Sequence, residues 1–111
     1  VRLGPALETL PQLATEGHAP FDLVFIDADK ANTAEYFAWA LKLTRRGSLI
    51  ITDNVVRKGA VIDANSEDEN VQGIRRFNAA LSLEPNVSAT IVQTVGGKGY
   101  DGLAIALVVA D

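Results

Sequence analysis

Phe21-Asp22-Leu23-Val24-Phe25-Ile26-Asp27-Ala28-Asp29-Lys30 is the stretch whose reading decides the fold. Its apolar run, Leu23 to Ile26, is short and rich in Val, Ile and Phe, the pattern of a buried parallel strand. It ends in Asp27, Asp29 and Lys30, and a helical pattern follows, so these three side chains lie on a strand-to-helix loop. In open α/β sheets, ligands bind outside the carboxyl ends of the strands. A second run, Ser48-Leu49-Ile50-Ile51-Thr52, repeats the design and ends in Asp53-Asn54. Neighbouring strands lie about 5 Å apart. If these two are neighbours, Asp27, Asp53 and Asn54 converge as three hard oxygen ligands.

Working outward, Val1-Arg2-Leu3 reads as the tail of a strand. Gly4-Pro5 opens a helix, with Pro5 at its first position and Ala6, Leu7, Leu10, Leu13 and Ala14 as the apolar stripe. The strand runs from Phe21 to Ala28. Asn32 caps a helix reaching about Thr44, with Ala34, Phe37, Ala38 and Leu41 inward and Tyr36 and Trp39 off the stripe. Arg45 and Arg46 suit the negative end of that helix and Gly47 its C′ position. A polar loop from Asp53 to Asn70 carries Lys58 and Gly59, and loops of that length often serve as functional lids. Asp63, Glu67, Asp68 and Glu69 read as a solvated approach to the N-terminus of a helix over Val71 to Leu83. Ile74, Phe77 and Leu81 face inward from that helix, and Pro85-Asn86 turns the chain. Val87 to Val95 and Leu103 to Val109 are strands. The glycine-rich Gly96 to Gly102 joins them as an antiparallel hairpin. That loop has no Gly-Lys-Ser/Thr and no helix after it, so it is not a phosphate-binding loop.

At 111 residues the chain has the size of one small α/β domain, and 48% hydrophobic residues are enough for a core. A net charge of −4 argues against a nucleic-acid partner held on a basic face. No run reaches transmembrane length, and no signal peptide opens the chain. Cytoplasm is therefore the expected location and no membrane partner is expected. Without cysteine there are no thiolate metal sites. A start at Val1 rather than Met reads as part of a longer gene product.

Each carboxylate taken alone reads more readily as a helix cap or turn residue. Together, at two successive strand ends, they favour a divalent cation. Mg²⁺ keeps several waters beside one or two carboxylates, while Mn²⁺ or Ca²⁺ would use the same oxygens. A lysine beside a dication has its charged form disfavoured, which suits Lys30 as a general base, although a solvated lysine is the plainer reading. His18 has no second histidine to pair with and reads as a loop residue.

FDLVFIDADK, then a helix with Tyr36, then GSLIITDN, Gly59 and VQGIRRFN, resembles the class I cation-dependent O-methyltransferases. These are the caffeoyl-CoA and catechol O-methyltransferase-like enzymes, of bacterial type. The resemblance runs from about Gly4 to Val109 and covers only the family's C-terminal half. The glycine-rich loop and the ribose-binding acid lie outside it. It implies a partial Rossmann-like S-adenosylmethionine-dependent methyltransferase fold. It implies Asp27, Asp53 and Asn54 as metal ligands, Lys30 as the catalytic base, and Ala6, Asp27, Ala28 and Asp29 at the cofactor. Asp27 and Lys58 are implied at the substrate, a catechol-like aromatic with vicinal hydroxyls. Lys58 and Thr33 depart from the plant enzymes, which commonly carry Asn and Tyr there, so acceptor identity stays open. Tyr36 matches a family aromatic. The family's usual state is a homodimer.

Other readings fit less well. Asp27-Ala28-Asp29 resembles the Asp-x-Asp of haloacid-dehalogenase-like phosphatases, but Ala31 stands where Thr or Val is usual. A receiver domain would need a lysine at a later strand end. The main rival is a methyltransferase-derived half-domain without turnover. Its first strand would be left as an open apolar edge, which favours pairing with another chain.

Overall fold

A computed structural model describes residues 1–97 and 99–110 of the chain. Its elements are α1 (Ala6–Thr15), β1 (Phe21–Ile26), α2 (Thr33–Lys42), β2 (Thr44–Asp53), α3 (Glu69–Leu83), β3 (Val87–Gly96) and β4 (Gly99–Val108). Short 3₁₀ segments at Lys30–Asn32 and Arg57–Ile62, the second kinked at Lys58 and Gly59, follow β1 and β2. The four strands form one mixed sheet in the order β1-β2-β4-β3. β1 and β2 are parallel, and β4 is antiparallel to both β2 and β3. The element order is the one expected from the sequence, with no strand at Val1–Leu3.

Alternation along the strands divides the sheet into two faces. Ile26, Ile50, Ala104, Ala106 and Val108 are buried and join Tyr36, Phe37 and Ala40 of α2 and Ile74, Phe77 and Leu81 of α3 in one core. Phe37 and Phe77 meet edge to face, with ring centroids 5.4 Å apart. Ala6, Leu7 and Leu10 bring α1 to the same cluster. On the other face, register places Leu23 beside Leu49 and Leu49 beside Leu107, then Phe25 beside Ile51 and Ile51 beside Ile105. Leu23 and Phe25 are 57% and 58% exposed, because no helix among the described residues packs on this side. β1 is therefore an edge strand with a bare apolar face and not the fully buried strand that its composition suggests.

Several boundaries differ from expectation for local reasons. The helix expected to reach Thr44 ends at Lys42, whose ammonium lies 4.5 Å from the Trp39 ring centroid. Thr44 already pairs with Phe21, and the ladder resumes at Leu23 with Leu49. Arg45, Arg46 and Gly47 thus form a bulge and not a helix end. Ser48 closes the bulge by donating to the Phe21 carbonyl at 2.7 Å and accepting from the Arg45 amide at 3.1 Å. Gly47 has φ +94, so its glycine serves the bulge instead of a C′ cap. Pro5 stands one residue before α1 as its N-cap. Ala14 and Ala38, assigned inward from spacing, are exposed, whereas Tyr36 is buried. α3 starts at Glu69, two residues earlier than expected, and Asp68 caps it by accepting from the Asn70 amide at 2.8 Å. Strand pairing continues to Gly96↔Gly99, so Tyr100, Asp101 and Gly102 belong to β4 and not to a loop. Lys98, within the expected hairpin loop, lies outside the described residues.

Candidate functional site at the carboxyl ends of β1 and β2

The register Ile26↔Thr52 puts the ends of the two parallel strands level. Asp27 therefore leaves β1 beside Asp53, the last residue of β2, and Asn54 follows with φ 62. Asp53 Oδ1 accepts the Asn54 backbone amide at 2.8 Å. The Asn54 side-chain nitrogen donates to Asp101 Oδ2 at 3.2 Å. A carboxylate only accepts, so Asn54 must present its NH₂ to Asp101, and its own oxygen is the end left for a ligand. Two carboxylates and an amide oxygen are a hard donor set suited to Mg²⁺ or Mn²⁺. No trio of His, Cys, Asp and Glu forms a cluster among the described residues. The donor set thus depends on Asn54 as its third member.

Lys30 stands on the 3₁₀ turn after β1. Its ammonium donates to Asp27 Oδ1 at 3.0 Å, and its side chain is only 14% exposed. Two neighbours fix its backbone. Thr33 Oγ1 donates to the Lys30 carbonyl at 2.9 Å, and α3 crosses directly over Lys30 and Ala31 at Gly73. A Cβ at Gly73 would lie 2.4 Å from the Lys30 carbonyl oxygen, so only glycine permits that crossing. Arg76 adds a hydrogen bond to the Ala31 carbonyl at 2.9 Å.

The residues expected at the cofactor also come together. Ala6, Ala28 and Asp29 line one cavity with Tyr36, and Asp27 lines an adjoining one with Ala6 and Ala28. In the first of these cavities, Asp29 is held by the Tyr36 hydroxyl and by Asn32 Nδ2 at 2.6 Å. Asn32 thus binds Asp29 and makes no side-chain cap to α2, contrary to the expected role. The Tyr36 hydroxyl, and secondarily Asn32, hold the Asp29 carboxyl below its usual range against the opposing effect of burial. Burial first, and then the Asp29 carboxylate, push the Tyr36 hydroxyl up to about 12.

Lys58 sits further along, with φ 55, beside a cavity of about 640 Å³ that Asn54, Tyr100 and Asp101 also line. Asp101 was not among the residues singled out from the sequence. It sits between glycines in what reads as a hairpin connection, and its partners are backbone amides that no motif reports. Thr33, where departure from the plant enzymes was noted, is buried under Lys30.

The O-methyltransferase family profile matches residues 1–108. A catechol O-methyltransferase of Niastella koreensis is 56% identical over 108 residues, covering 97% of this chain and 49% of that protein. Among solved structures, an O-methyltransferase from Bacillus cereus in complex with SAH superposes with a TM-score of 0.94 at 59% identity, over 97% of this chain and 49% of that one. The O-methyltransferase TomG from Streptomyces achromogenes, in complex with SAM, gives 0.92 at 53%, over 96% and 48%. The chain spans about half the length of the relatives it matches. The partial Rossmann-like methyltransferase fold expected from the sequence is the fold of these neighbours.

Proposed function

The chain belongs to the O-methyltransferase family, and from that premise we propose that it carries the acceptor-activating half of an S-adenosylmethionine-dependent, cation-assisted O-methyl transfer to a catechol-like aromatic. The observation that carries this reading is the level ending of β1 and β2, which sets Asp27 beside Asp53 and Asn54. These three residues would hold the cation, Mg²⁺ in the first instance. Once bound, it would supply Lewis acidity and lower the pKa of a coordinated hydroxyl. Lys30, tethered to Asp27 and largely shielded from water, takes the acceptor's proton as the free amine, its own ammonium proton having first passed to solvent. The acceptor oxygen then forms its bond to the methyl carbon as the bond from that carbon to sulfur breaks. Ala6, Ala28 and Asp29 line the cofactor side, and Lys58 the acceptor side. Holding the two reactants in line supplies much of the acceleration.

A methyl-transfer assay with labelled S-adenosylmethionine and catechol, with and without EDTA, tests this reading in the protein that carries the chain. Lys30→Ala should lower kcat by about 10²–10⁴-fold, the usual worth of a positioned general base. Asp27→Ala should abolish the metal dependence together with activity. Transfer that ignores EDTA, or full activity in Lys30→Ala, would sink the proposal.

The exposure of Leu23 and Phe25 on an edge strand favours a second reading of residues 1–111 taken alone. It is a half-domain that folds and self-associates through β1 without turnover. Sedimentation equilibrium distinguishes the two, since a monomer at all concentrations removes the second reading. The homodimer expected of the family is a separate proposal, tested by the same method on the whole protein.

A further inference from the structure

Strand β4 reaches the site through one side chain that the reaction does not use directly. Asp101 Oδ1 accepts three backbone amides, from Val56 at 3.1 Å, Arg57 at 2.8 Å and Gly102 at 2.8 Å. Its other oxygen takes the Asn54 NH₂. Four donors thus converge on one acceptor-only group. The segment it grips is unusual, because Asn54, Arg57 and Lys58 all have left-handed φ, at 62, 53 and 55. Non-glycine residues hold such angles only where their surroundings fix them, at a cost of about 1–3 kcal/mol each. The close approach of β4 is also built in. A Cβ at Gly102 would lie 2.5 Å from Val56 Cγ2 and 3.0 Å from the Val92 carbonyl oxygen. One at Gly59 would lie 2.5 Å from the Tyr100 hydroxyl.

We infer that Asp101 is the positioning residue of the metal site: by holding the Asn54 amide nitrogen and the turn behind it, it aims the Asn54 oxygen at the point shared with Asp27 and Asp53. The same grip sets the course of the chain to Lys58, whose side chain packs over Gly99 of β4. Asparagine at 101 would bring its own NH₂ against these donors and loosen both. The inference rests on the metal reading above and adds to it a role for a residue on a different strand, 47 positions away from Asn54.

The test is Mn²⁺ affinity, by calorimetry and by the EPR signal of bound Mn²⁺, in five forms of the protein that carries the chain. These are the unsubstituted protein, Asp101→Asn, Asn54→Ala, the double variant and Asp101→Glu. Loss of an outer partner of a ligand typically weakens metal binding 10–100-fold. Asp101→Asn should therefore raise the Mn²⁺ Kd by about tenfold in the Asn54 background. It should add almost nothing once Asn54 is Ala. Asp101→Glu, which keeps the carboxylate, should recover part of the affinity. An unchanged Kd in Asp101→Asn, or an equal loss in both backgrounds, overturns the inference while leaving the metal reading intact. No Mn²⁺ binding by the unsubstituted protein removes both. A measurement on the unsubstituted protein decides the matter even if the variants do not fold. With Mg²⁺ bound, NMR couplings across the hydrogen bonds should link the Val56 and Arg57 amides to the Asp101 carboxyl carbon, and their absence overturns the inference.

Discussion

The two faces of the sheet are built from the same kinds of residue and meet opposite fates. Ile50 on one face is 1% exposed, whereas Leu49, its neighbour on the other, is 38% exposed. Phe77 packs at 1% on the helix-covered side, and Phe25 stands at 58% on the bare side. Apolar alternation therefore marks which residues are fit for burial, and the elements packed on each side decide which are buried. The site lies at the carboxyl edge of the sheet, where the two faces meet. Its residues leave the sheet at the ends of β1 and β2, held from behind by α3 and from the side by β4.

Substitution can sharpen that comparison. Phe77→Ala should cost about 3–5 kcal/mol, the range for emptying a packed aromatic site. Urea unfolding would show it as a lower midpoint at unchanged slope. A loss as small as that of a surface residue would mean that the covered face is not the core. Gly73→Ala comes next. It forces the α3 crossing apart and should cost about 1–3 kcal/mol, as overpacking does. Because the clash falls on the Lys30 carbonyl, metal binding at the neighbouring Asp27 should also weaken, which calorimetry can follow. Tyr36→Phe removes one hydrogen bond to Asp29 and should cost about 1 kcal/mol. Phe25→Ser, on the bare face, should change stability by no more than about 0.5 kcal/mol. A loss matching that of Phe77→Ala would show that something covers this face in solution.

The Tyr36–Asp29 contact carries a pH dependence whose sign follows from the two shifts. Asp29 titrates below its ordinary value when folded, so its contribution is in place above the ordinary carboxylate range. It is lost as pH falls through the folded value. Tyr36 is raised from 10.0 to about 12, so its contribution is complete below 10.0 and is lost as pH rises through about 12. In Tyr100→Phe, which leaves Tyr36 as the only tyrosine, the phenolate absorbance should develop with a midpoint near 12. A midpoint near 10.0 would mean that neither the burial of Tyr36 nor its contact to Asp29 holds in solution.

The order of elements could be read from the sequence because each apolar run has its own period and each is bounded by Gly, Pro or Asp. What could not be read depends on partners distant in the chain. Arg45-Arg46-Gly47 looks locally like a helix ending, and only the ladder from Phe21 to Leu23 shows that it is a bulge in β2. Asn32 looks like a cap, but the Asp29 carboxylate takes its side chain. Asp27, Asp53 and Asn54 were legible as a group because each stands at or just past the carboxyl end of a strand, where such sheets carry their chemistry. Asp101 was not, since its role is set by four donors, three of them on a loop about 45 residues earlier in the chain.

Strand β4 is late in sequence but interior in space, lying between β2 and β3. During synthesis, β2 emerges with nothing to pair on that side until residues 99–108 follow it. The hairpin joins the sheet through its second strand, β4, whose outer edge pairs with β2. Asn54 likewise waits for Asp101, which arrives on that same strand. Completion of the sheet and assembly of the candidate site thus coincide in the pairing of β4 with β2. A polypeptide halted at Gly96 would contain Asp27, Lys30, Asp53 and Asn54 without the strand that fixes Asn54 beside the others.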